Sequence, residues 1–137
     1  MSPNEEIAGN YVMVHPELKN DPAGKAAQIG TIRHADLIRN DVYVEFQDGQ
    51  LGLYAANALL TLKKSEDIFK YLERDGHTLS FIDYNNLHKI ALIERFGYPE
   101  QVSRALELAK ESETVYRKGL VSLEDHLGLK NTIRRLR

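Results

Sequence analysis

Apolar side chains recur at every second position between residues 11 and 62, and at every third or fourth position beyond residue 62. A period of two places one face of a strand in a core, whereas a period near 3.6 does the same for a helix. A chain that changes period once predicts an α+β protein, with a sheet built from its first half and helices from its second. Val42, Val44 and Phe46 alternate with Tyr43, Glu45 and Gln47, the clearest strand in the chain. The pair Asp48-Gly49 predicts a two-residue turn into a returning strand, Leu51-Gly52-Leu53-Tyr54.

Two further strands are expected upstream, around Asn10-Tyr11-Val12-Met13-Val14 with Val12 and Val14 inward, and around Gln28-Ile29-Gly30-Thr31-Ile32-Arg33. Between them Pro16, Asn20, Asp21, Pro22 and Gly24 predict a long surface loop over 15–25. A helical turn over 55–59 and a short strand, Leu60-Thr61-Leu62, complete the first half.

This order resembles a Src-homology-3-like small barrel. The residues that carry the likeness are Tyr11-Val12-Met13-Val14, Gly30-Thr31-Ile32 and the run from Val42 through Phe46 to Asp48-Gly49, and they are most similar to the KOW and Tudor-like branches. The resemblance implies a barrel over 9–62 and, through the KOW branch, RNA or ribosome-associated binding. Fold analogy does not by itself fix function.

In the second half, Ser65 is expected to cap a helix carrying Glu66 and Asp67 in its first turn and ending at Gly76, with Ile68, Tyr71 and Leu72 apolar. A second helix is expected from near Asp83 to Gly97, with Leu87, Ile90 and Ala91 inward. A third opens at Pro99 and runs to Lys118, and a short fourth is capped by Ser122 and ends at Gly128. The resulting division is a barrel over 1–62, its first residues disordered, and a region of three to four helices over 63–137. No Gly- or Ser-rich spacer separates them, so the helices are expected to pack on the barrel.

The chain has 137 residues, no cysteine and a net charge of −2. Without cysteine there is no disulfide, no thiolate nucleophile and no cysteine-ligated metal, which suits a reducing compartment. Neither a signal-peptide pattern nor an apolar run of about 18 residues is present, so a cytoplasmic location away from membranes is expected. The charge is uneven: −4 over 1–62 and +2 over 63–137. Lys130, Arg134, Arg135 and Arg137 crowd the last eight residues, beside an apolar stripe of Leu129, Ile133 and Leu136. Such a tail suits packing on its own domain, a partner protein or a nucleic acid.

No catalytic pattern stands out. The histidines 15, 34, 77, 88 and 126 lack metal-ligand spacing, with His34 and Asp36 the nearest hint, so no metal and no cofactor are expected. No serine has a Gly-x-Ser-x-Gly context, and the loop Asp21-Pro22-Ala23-Gly24-Lys25 lacks the phosphate-loop pattern. Tyr43 should face outward, and with Tyr11 and Tyr54 it can form an exposed aromatic patch able to stack bases or hold a cation. The expectation is a non-catalytic protein-binding or adaptor module, with RNA or ribosome-associated binding second. A small hydrolase or metal enzyme assembled from distant residues is third.

Overall fold

A computed structural model describes residues 7–19, 21 and 23–128. The protein is α+β, strands first and helices after. The strands are β1 (Tyr11–Val14), β2 (Ile29–Asp36), β3 (Asp41–Phe46), β4 (Leu51–Tyr54), β5 (Leu59–Leu62) and β6 (Leu120–Ser122). The helices are α1 (Ser65–Asp75), α2 (Phe81–Phe96), α3 (Pro99–Ala109), α4 (Glu113–Gly119) and α5 (Leu123–Leu127). Short 3₁₀ turns occupy Ala56–Ala58 and Gly76–Thr78.

The strands form one sheet in the order β4-β3-β2-β1-β5-β6. β1 to β4 are an antiparallel meander, and β5 returns to pair antiparallel with β1, Met13 opposite Leu60. Val12, Val14, Ile32, Val42, Val44 and Phe46 lie on the buried side, as their alternation requires, together with Tyr54, Leu59 and Leu123. Met13 is equally buried, so β1 is covered on both faces.

Several local expectations are corrected. The β3–β4 connection is a three-residue loop, because Phe46 N–H donates to Gln50 O at 2.9 Å and Gly49 takes the left-handed conformation, φ +84°. Only a residue without Cβ enters that conformation readily, and this geometry suits right-twisted strands. β2 runs on to Asp36 through an irregularity in register between Ile32 and His34, which leaves Arg33 unpaired against β3.

Ser65 is not the cap of α1. Lys64 holds that position, and Ser65 is buried in the first turn with its N–H donating to Glu94 Oε1 at 3.2 Å. The expected third helix is two, because Ser112 Oγ accepts the Val115 N–H at 3.3 Å and restarts the helix as α4. At α2 and α5, Ser80 and Ser122 accept the N–H groups of Asp83 and Asp125 in the same way. β6 has no counterpart in the sequence-based expectation.

The chain divides into two compact units. One comprises the described residues up to Thr61 together with 122–128, and the other runs from Leu62 to Val121. In the second, α2 packs against α1, α3 and α4. Its buried side chains include Ile68, Leu72, Leu87, Ile90, Leu106 and Val115.

Candidate functional site

The meander exposes the face of β2, β3 and β4 that points away from the core. Cross-strand register aligns Tyr11, Thr31, Glu45 and Leu51 in one row, and His34, Tyr43 and Leu53 in the next. Residues directly opposite share a face of the sheet, so all seven belong to this side. Leu51 and Leu53 are well exposed, Tyr43 is at the margin of exposure, and Tyr11 is half-buried.

A shallow groove of about 450 Å³ lies on this face, lined by Arg33, His34, Asp36, Arg39, Asp41, Tyr43 and Leu51. The unpaired position in β2 carries Arg33 to the groove, and the same strand extension brings in His34 and Asp36. The Tyr43 and His34 rings sit 5.8 Å apart, tilted by 42°. Both arginines already have carboxylate partners: Arg33 Nε pairs with Glu45, and Arg39 Nε lies 3.6 Å from Asp36 Oδ2. Such exposed pairs add little stability, but they cancel the field that a polyanion would need.

The opposite side of the unit is organised by a polar clamp. The Asp21 carboxylate accepts the Ala23 N–H at 3.1 Å, the Lys25 N–H at 2.7 Å and the Tyr54 O–H at 2.9 Å. Lys25 is buried, its ammonium pairs with Asp48, and it lies 5.6 Å from the centre of the Phe46 ring. Asp21, Ala23 and Lys25 therefore close a turn and pin the long loop to the β3–β4 hairpin.

Among the described residues, three groups have displaced pKa values. The hydrogen bond from Lys25, aided by the Gln50 N–H, holds the Asp48 carboxyl below its ordinary range. Burial, then the Asp21 carboxylate, pushes the Tyr54 phenol up. The ion pair with Asp75 raises Arg74. Each shift moves its group further from neutral pH, the opposite of what general acid–base work requires.

Of the tyrosines expected in one exposed patch, Tyr11 and Tyr43 share the outer face. Tyr54 does not, since it pairs with Val42 on the inner side, is 4% exposed and meets Phe46 edge to face at 6.2 Å. Alternation along β4 carries the sign of this correction: Leu51 and Leu53 point out, so Tyr54 points in. Lys130, Arg134, Arg135 and Arg137 lie outside the described residues. Sequence reasoning missed Arg33, Arg39, Asp41 and Leu51, which enter the groove through the extended β2, the β2–β3 turn and the β4 register.

Among the described residues no group of three or more His, Asp or Glu side chains could hold a metal ion, and no helix is long and apolar enough to cross a membrane. Compared with known proteins, the chain matches no family model, no curated protein and no solved structure.

Proposed function

We propose that the protein is a non-catalytic binding module whose first unit takes an extended segment of another protein on the outer face of β2, β3 and β4. The observation that carries this reading is the groove: an aromatic ring and a leucine beside two arginines that carboxylates already engage. β4 is one of the two edge strands of the sheet, so an extended peptide can add to it through backbone hydrogen bonds while alternate side chains rest on Leu51, Leu53 and Tyr43.

The small-barrel reading of this unit belongs to the same proposal. Its support is the connectivity: a four-strand meander, a 3₁₀ turn at Ala56–Ala58 and a fifth strand that returns to the first. Nucleic-acid binding is the less favoured alternative, because three carboxylates, Asp36, Asp41 and Glu45, stand beside the two arginines of this face.

The test is selection of random peptides on the full chain, followed by amide-shift mapping and a parallel titration with single-stranded RNA at two salt concentrations. Selected peptides should shift Arg33, His34, Tyr43, Leu51 and Leu53, and lose roughly tenfold or more in affinity with Tyr43→Ala or Leu51→Asp. Peptides that map elsewhere, or salt-sensitive RNA binding centred on this face, refute the reading.

A further inference from the structure

We propose that the second unit joins a second copy of itself through the exposed face of α2, in an antiparallel, two-fold symmetric helix pair. α2 buries Leu87, Ile90 and Ala91, and at helical spacing the opposite side carries Phe81, Asn85, His88, Leu92 and Phe96. Ile82 flanks this stripe, and Tyr98 caps the following helix beside its end.

The exposures are large for such residues: Phe81 81%, Ile82 67%, Leu92 40%, Phe96 71% and Tyr98 74%. Together these side chains present on the order of 600–700 Å², above the apolar patch of an ordinary monomer and close to the ~800 Å² per partner of a standard interface. Asn85, His88 and Lys89 make up the difference.

The pattern is also self-complementary. Reflection about the point between His88 and Lys89 exchanges Phe81 with Phe96 and Asn85 with Leu92. In an antiparallel pair each Phe81 therefore meets the second copy's Phe96, across a helix length of about 22 Å. A two-fold interface needs this property: residue i contacts j and j contacts i. Antiparallel alignment also opposes the two helix dipoles favourably. Lys89 falls near the axis and faces its counterpart, so added salt should strengthen the pair by screening that repulsion.

Sedimentation equilibrium of the full chain, from low micromolar into the hundreds of micromolar, tests this. A monomer–dimer equilibrium is expected that tightens with salt and weakens roughly tenfold or more with Phe96→Asp or Leu92→Glu. These positions are exposed, so circular dichroism of both variants should match that of the parent chain. The cysteine-free chain permits a direct check of orientation. Asn85→Cys and Leu92→Cys should form a disulfide with each other when mixed, and neither should do so readily with itself. A monomer at every concentration, which would leave the face to a different partner, overturns the proposal, as does a dimer indifferent to both substitutions. A ready disulfide of Asn85→Cys with itself overturns the antiparallel arrangement.

Discussion

Tyr54→Phe removes one hydroxyl and leaves the ring in place against Phe46, so it isolates the bond that ties β4 to the long loop. The hydroxyl donates to Asp21 Oδ1 at 2.9 Å in a partly buried setting. A hydrogen bond to a charged acceptor contributes about 1.5–3 kcal/mol, and Asp21 retains some access to water, so about 1.5 kcal/mol is expected here. Asp21→Ala also orphans the Ala23 and Lys25 N–H groups and should cost about 2–4 kcal/mol. The double variant should then be less unstable than the sum of the two by about 1–1.5 kcal/mol, since the shared bond is lost only once. Because the chain folds as two compact units, urea unfolding should be followed by NMR at Val42 and Val44, which report on the first unit alone. A coupling within about 0.3 kcal/mol of zero would refute the assignment of Asp21 as the anchor of Tyr54.

The pH response of the first unit should have two limbs. Asp48 is held below its ordinary range, so its contribution is complete above about pH 4 and is lost as acid protonates it. In Lys25→Met the Asp48 titration, followed by carboxyl NMR, should move back up. The Tyr54 phenol is raised, so its contribution is intact below about pH 10 and declines as alkali favours the unfolded tyrosinate. Tyr54→Phe should flatten that alkaline limb. Gly30→Ala should destabilise the first unit by roughly 1–3 kcal/mol or prevent its folding, because the new Cβ would lie 2.5 Å from Val44 Cγ1 and 2.8 Å from Glu45 O. Asn40→Ala should cost about 1–3 kcal/mol in thermal or urea unfolding, since Asn40 sits at φ +60° and its Oδ1 accepts the Ala56 N–H at 2.9 Å.

Much of this architecture follows from local pattern. The change of period at residue 62 separates strands from helices, and alternation assigns Val12, Val14, Val42, Val44 and Phe46 to one side of the sheet. The serines ahead of α2 and α5, with Gly97 and Gly128 behind them, set those helix ends through backbone groups a few residues away. Such information is local because each hydrogen bond or buried stripe involves neighbours in sequence. The break between α3 and α4 was equally local, and Ser112 is its signal.

Tertiary structure decided the rest. Tyr54 is a core residue because the β3–β4 register sets it opposite Val42, and register depends on a loop one residue longer than Asp48-Gly49 suggests. Asp21, Lys25, Asp48 and Tyr54 form a clamp only when the long loop folds against the β3–β4 hairpin, a meeting of residues up to 33 positions apart. The groove joins β2, β3 and β4 through an irregularity that only pairing reveals. β6 is a strand only because β5 lies beside it. The exposed stripe on α2 was hidden for a related reason: a helix apolar on two sides shows no single periodic face, and burial of Leu87, Ile90 and Ala91 alone reveals that Phe81, Leu92 and Phe96 are left outside.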